Sequence, residues 1–195
     1  MIGKKNSPQN ALARREVGAK MLMNSKNELQ VLIPPTAPTL YITGIPALNL
    51  PAPEGTTGDW HFMSVYYDIN KSGKKLDLQL AGEGQHLDTN HIYESYGIYE
   101  CSLAMRARGL QIPAEMTAVY AANHYRAILD MVYYSLINHH KILGLVGATE
   151  DWLDTQEQKL LLLVKATEML PFVGEREGEA LQCWIDKERE PGYRS

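Results

Sequence analysis

Three consecutive residues, Asp59, Trp60 and His61, bring together the groups that an oriented general base needs. In an extended strand, side chains two apart share a side. The Asp59 carboxylate can then accept the proton of one His61 ring nitrogen and leave the other nitrogen as the base. The same residues have a purely structural alternative, with Trp60 anchoring a core, His61 buried and hydrogen-bonded, and Asp59 capping the turn at Gly58. Farther along, Asn123-His124-Tyr125-Arg126 precedes Asp130 by one helical step, so Arg126 and Asp130 can pair across a turn. Arg126 lies on an apolar stripe, where an unpaired charge is expensive. Either it forms a structural clamp with Asp130 or with Glu100, or it joins His61, Glu100 and His124 around an anionic ligand. The candidate catalytic residues are therefore Asp59, His61, Glu100, His124 and Arg126. Ser64 and Cys101 sit in regular elements without a nucleophile elbow or a paired base.

Binding candidates come from two other features. The stretch Gly44 to Phe62 holds three prolines and three glycines and ends on an acid, an indole and an imidazole. Ordering such a crossover is costly, which points to use of Glu54 and Trp60 in recognition. The chain also has eleven tyrosines against two phenylalanines. Tyrosine adds a hydroxyl that must be satisfied when buried, so this choice favours half-buried surfaces, and Tyr93, Tyr96 and Tyr99 recur at three-residue steps. His86, Asp88, His91 and Glu94 are chemically able to ligate zinc or iron, but their spacing matches no established site. Capping of a following helix by Asp88, Thr89 or Asn90 is the expected role, and no metal is assigned. No cofactor fingerprint is readable, and the cofactor is left unassigned.

The elements that would position these residues follow from periodicity. Ser7-Pro8 opens a helix to Met23 with a loose apolar face (Leu12, Ala13, Val17, Ala19, Met21, Leu22). Leu29–Ile33 and Leu40–Thr43 read as short strands, and prolines 46, 51 and 53 are expected to forbid helix and exclude a central strand in the crossover. Asp59–Tyr67 alternates as a strand apolar on both faces, followed by a turn at Asn70–Gly73 and a second strand, Lys75–Leu80. Ile98–Arg108 reads as a helix closed by Gly109. Pro113 opens a longer segment in which apolar positions from Val119 to Leu143 make a long amphipathic helix ending near Gly144 or Gly147. Thr155 and Gln158 form a capping box for Thr155–Leu170, and Glu177–Glu190 makes a last helix carrying Leu181, Trp184 and Ile185. The expected fold class is α+β, a small antiparallel sheet in the N-terminal half packed by a helical C-terminal half. Residues 1–26 form a basic helical arm and 27–195 a single domain.

The 195 residues are 45% apolar and 22% charged, which suits one globular domain. No apolar window reaches membrane-spanning length, and no secretory signal is readable, so a cytoplasmic protein without a membrane partner is expected. Cys101 and Cys183 are expected to be reduced structural thiols. The arm carries Lys4, Lys5, Arg14, Arg15, Lys20 and Lys26 against Glu16 alone. Its balance of +5 leaves −9 on the rest of a chain whose net charge is −4. Packing of the arm on its own acidic body, contact with nucleic-acid phosphates and binding of a protein partner are all open. The strings Gly58-Asp59-Trp60-His61-Phe62 and Ala122-Asn123-His124-Tyr125-Arg126 resemble those of bacterial proteins from mobile elements and toxin–antitoxin-type operons; no family is assigned and no residue role is carried over.

The leading expectation is a bacterial protein-interaction module, antitoxin-, inhibitor- or defence-accessory-like, that binds a protein partner through its tyrosines and the Gly44–Gly58 loop. The alternatives are a hydrolase or transferase acting on a nucleotide or phosphorylated substrate, and nucleic-acid binding through residues 1–26. A homo-oligomer is compatible with any of the three.

Overall fold

The computed structural model describes residues 29–56, 61–68 and 78–190. The basic arm, Asp59, Trp60, the turn at Asn70–Gly73 and the first half of the strand expected at Lys75–Leu80 lie outside these residues.

The chain begins with β1 (Leu29–Gln30), β2 (Leu40–Ile42) and a short helix α1 (Gly44–Leu48). It continues through α2 (Phe62–Tyr66), β3 (Tyr67–Asp68), β4 (Leu80–Gly82), α3 (Asn90–Tyr93), β5 (Ile98–Glu100), α4 (Ser102–Ala107) and β6 (Tyr120–Ala122). The C-terminal half is helical: α5 (His124–His139), α6 (Ala148–Trp152), α7 (Gln156–Thr167), a 3-10 turn (Leu170–Phe172) and α8 (Glu175–Arg189). The fold is α+β. Four strands form one sheet in the order β4-β2-β6-β5, and β1 pairs with β3 separately. The main sheet is mixed rather than antiparallel throughout: β2 pairs antiparallel with β4, but it runs parallel to β6 through Ile42 and Ala121.

The sheet divides the core in two, because alternate residues of a strand face opposite ways. Tyr41 and Ala122 join one apolar cluster with Ile128, Leu136, Leu162 and Trp184 from α5, α7 and α8. Ile42 and Ala121 join the other, with Val31, Phe62, Tyr66 and Met105. Among the described residues no helix is long and apolar enough to cross a membrane.

Several expected elements change type, each for a local reason. Pro46 is tolerated in α1 because it stands in the first turn, where a backbone N–H has no intrahelical acceptor in any case. Residues 62–66 form a helix, not a strand. Phe62 and Tyr66, the two buried members, are four apart, a spacing that suits one face of a helical turn as well as one face of a strand. The expected helix from Ile98 splits into β5 and α4; its end at Gly109 stands, with φ of +86° and Gly109 N donating to the Arg106 carbonyl at 2.9 Å.

The long helix starts later than expected and ends sooner. Tyr120–Ala122 pair with β5, and Asn123 caps α5 by accepting from Arg126 N at 2.9 Å. His140, in the left-handed region at φ +55°, closes it. Leu29–Ile33 is strand only at its first two residues.

The capping box at Thr155 forms as expected. Gln158 N donates to Thr155 Oγ1 at 3.2 Å and Thr155 N to Gln158 Oε1 at 3.0 Å. In α8, Leu181, Trp184 and Ile185 are buried, and the Trp184 indole donates to the Leu145 carbonyl at 2.8 Å. Both cysteines are unpaired; burial pushes the Cys101 thiol up to about 12. Because Thr155 supplies the main cap of α7, Thr155→Ala should lower stability by about 1 kcal/mol in urea denaturation with an unchanged m-value; a loss below ~0.3 kcal/mol would show that tertiary packing alone fixes the start of α7.

Candidate functional site

Helix α5 places Arg126 and Asp130 on its sheet-facing side, and both side chains are 0% exposed. Isolated charges at that depth would be untenable, and the surrounding chain supplies partners for both. Arg126 Nε donates to Asp130 Oδ1 at 3.1 Å and to the Tyr41 hydroxyl at 3.0 Å. Its two terminal nitrogens donate to the carbonyls of Glu94 and Tyr96 at 3.2 and 3.0 Å and to Asn90 Oδ1 at 2.9 Å. The rings of Tyr41 and Tyr93 each lie 5.2 Å from the guanidinium carbon, so the cation is bonded at its edges and stacked on its faces. Asp130 accepts from Thr43 at 2.7 Å and also from the Thr89 hydroxyl. Burial pushes the Asp130 carboxyl upward, against the opposing pull of Arg126 and of the hydroxyls of Thr43, Thr89 and Tyr41.

This network joins the end of β2, the entry to α3, the turn after α3 and helix α5. The Arg126–Asp130 clamp foreseen from the sequence is the one that forms. Glu100 takes no part: it is exposed at the end of β5, and Oε1 accepts from Ser102 N at 2.8 Å at the start of α4. That contact, chiefly through the Ser102 side chain, holds its carboxyl below the usual range.

The proline-rich crossover is fastened to the N-terminus of α5. His124 is 1% exposed, and its Nε2 lies 2.9 Å from the Leu50 carbonyl. A carbonyl only accepts, so Nε2 carries a proton, and Nδ1 has no partner among the described residues. Glu54 Oε1 accepts from His124 N at 3.2 Å, at the positive end of the helix. Two tyrosine hydroxyls complete the attachment, Tyr66 donating to the Pro46 carbonyl at 2.7 Å and Tyr99 to the Pro51 carbonyl at 3.2 Å. Gly44 opens the crossover at φ +62°, a left-handed conformation that glycine adopts without strain.

Of the residues singled out in the sequence, Glu54, Tyr99 and His124 therefore meet around residues 50–54, with Tyr96 and Tyr125 alongside. Burial, chiefly, and the Glu54 charge push the Tyr96 hydroxyl up to about 12 and raise that of Tyr125 as well. Tyr93 is a core residue, its hydroxyl donating to the Lys165 carbonyl at 3.1 Å. His61 sits exposed at the start of α2, where its carbonyl accepts from Ser64 Oγ at 2.8 Å and Val65 N at 3.1 Å. The proposed Asp59–His61 pair lies outside the described residues. The histidines and acids weighed as metal ligands separate: His86 meets Asn138, Asp88 accepts from Asn90 N, and His91 packs edge-on to Tyr133 and Phe172. Among the described residues no group of three or more His, Cys, Asp or Glu could hold a metal.

A surface feature that the sequence did not disclose lies where the crossover begins. A groove of about 320 Å³ is lined by Ile45, Met131, Tyr134, His139, Leu143 and Trp152, among others. Ile45 and Tyr134 are each 41% exposed and Leu143 47%, so their apolar surfaces stand open on its rim. The signal in the chain was slight: an isoleucine directly after Gly44, and the second tyrosine of the Tyr133-Tyr134 pair. A second, wider hollow of about 470 Å³ lies between residues 30–33 and 111–114.

Comparison of the chain with protein-family models, with curated proteins and with solved structures finds no match.

The turn that feeds Arg126 carries backbone strain. Tyr96 N donates to the Tyr93 carbonyl at 2.9 Å, and Glu94 holds φ +50° and ψ −126°, the first central position of a type II′ turn that favours glycine. The Glu94 carbonyl is thereby aimed at Arg126. Glu94→Gly should raise stability by about 0.5–1 kcal/mol, the relieved strain exceeding glycine's entropic cost; destabilisation in chemical denaturation would mean that the glutamate side chain itself holds the turn.

Proposed function

We propose that this chain is a protein-interaction module that receives apolar side chains of a protein partner in the groove between α1 and the C-terminal half of α5. The observation that carries the proposal is the juxtaposition of Ile45, Tyr134 and Leu143, large apolar groups left open on the rim of one concavity. Hot spots of protein interfaces are commonly aromatic and aliphatic anchors at such hollows, and a tyrosine with one apolar face and one wet hydroxyl suits that role. The crossover supplies the fixed framework. Its carbonyls and Glu54 are tied to α5, Tyr66 and Tyr99, so Ile45 is presented without an ordering cost at the moment of binding.

The resemblance of two short strings to proteins of mobile elements and toxin–antitoxin-type operons makes an antitoxin, inhibitor or defence-accessory role in a bacterial cytoplasm the specific form of this proposal. The enzymatic alternative required Arg126 at a ligand, and its guanidinium is buried with its donors engaged.

The test compares the wild type with an Ile45→Glu, Tyr134→Ala double variant. Both positions are partly exposed, so the thermal midpoint should move by no more than about 3 °C. Capture from the source organism should return a stoichiometric protein on the wild type, and the purified pair should bind at least about tenfold more weakly with the variant, some 1.4 kcal/mol. Absence of any stoichiometric partner, or equal affinity of the two forms, would remove the proposal.

A further inference from the structure

Helix α7 contains five consecutive apolar residues, Leu160 to Val164, and so cannot keep them all on one face. Leu162 and Leu163 point into the core with Ala166 and are buried. Leu160, Leu161 and Val164 lie on the opposite side at 51%, 43% and 56% exposure. Spacings of one, three and four residues make them one contiguous outward patch, and Glu157 and Glu168 border it on the same exposed side. The lysines of α7 are already engaged with acids of the domain: Lys159 lies 3.5 Å from Glu150, and Lys165 lies 2.9 Å from Glu168. Between Ala148 and Arg189 the chain carries ten acidic residues to five basic ones. The patch is thus apolar at its centre and set in an acidic helical layer.

We propose that this outer face of α7 is the docking site of the protein's own N-terminal segment, residues 8–23, laid along it as an amphipathic helix. Charge supports this occupant first. Residues 1–26 carry six basic side chains and one acid, the complement of the helical layer, and intersperse Arg14, Arg15 and Lys20 with Leu12, Val17, Met21 and Leu22.

Size supports it next. Three half-exposed side chains present at most a few hundred Å² of apolar surface. A free partner needs about 800 Å² per side for a stable interface, so a second copy or a separate protein would gain little from this patch alone. A tethered segment is held at an effective concentration of order millimolar and requires far less.

Length is also compatible. Twenty-eight residues precede Leu29. A sixteen-residue helix is about 24 Å long, against about 18 Å for the twelve residues of α7.

Hydrogen–deuterium exchange on the full chain tests the proposal, with a synthetic peptide of residues 1–26 as the reference. Amides of residues 12–22 should exchange at least about tenfold more slowly in the protein than in the peptide. A Leu160→Asp, Val164→Asp double variant should abolish that protection while leaving exchange in α5 unchanged, since both side chains point away from the core. Three results would overturn the proposal: peptide-like exchange of the segment in the wild type; protection that survives the double variant; or protection that grows with protein concentration, which would give the segment to a second copy.

Discussion

A fully buried arginine paired with a fully buried aspartate one helical turn away organises this protein. Placing two charges in the interior is unfavourable unless every donor and acceptor finds a partner, and here the partners come from three stretches of chain outside α5. Tyr41 and Thr43 lie at β2, Thr89 and Asn90 at the start of α3, and the carbonyls of Glu94 and Tyr96 in the turn that follows. Each is dictated by the ion pair: a strand end, a helix start and a strained turn are all held at the distance the guanidinium requires. The unusual backbone at Glu94 makes sense on this account, since its carbonyl accepts from the buried guanidinium.

The neighbouring end of the same helix holds the proline-rich crossover. His124 and Glu54 fasten the loop to the start of α5, just above the turn that buries Arg126. Gly97 must be glycine for this arrangement, because a Cβ there would approach Asn123 Oδ1 to 2.5 Å and Arg126 Cβ to 2.8 Å. A chain of contacts therefore runs from the buried pair through the cap of α5 to the crossover, and from α1 to the open groove at Ile45 and Tyr134. Rigidity originates in the core, and recognition is assigned to the surface it supports.

Much of this was legible in the sequence where a residue type has only one sensible use. Arg126 on an apolar stripe four residues before Asp130 announced a pair, Thr155 and Gln158 announced a capping box, and Gly109 announced a helix end. What was misread came from patterns with two solutions. Phe62 and Tyr66 satisfy a strand and a helical turn equally, and Val119 and Ala122 continue the phase of α5 although Tyr120–Ala122 pair with β5. Asn123, a strong capping residue, was the available signal for that boundary. The four partners of Arg126 beyond Asp130 could not be found from sequence, because they are 30 to 85 positions away and are backbone carbonyls or ordinary polar side chains. The groove was hidden for a similar reason: it is made by Ile45 and Tyr134, which only the packing of α1 on α5 brings together.

A double-mutant cycle on Arg126 and Asp130, using Arg126→Met, Asp130→Leu and the combined variant in equilibrium urea denaturation, tests the central claim most directly. If the pair is the structural clamp described, each single variant strands a buried charge and loses about 3–5 kcal/mol, while the combined variant loses clearly less than the sum, with a coupling of at least ~2 kcal/mol. Losses that add to within about 0.5 kcal/mol would show that the two residues act independently, and would contradict the account.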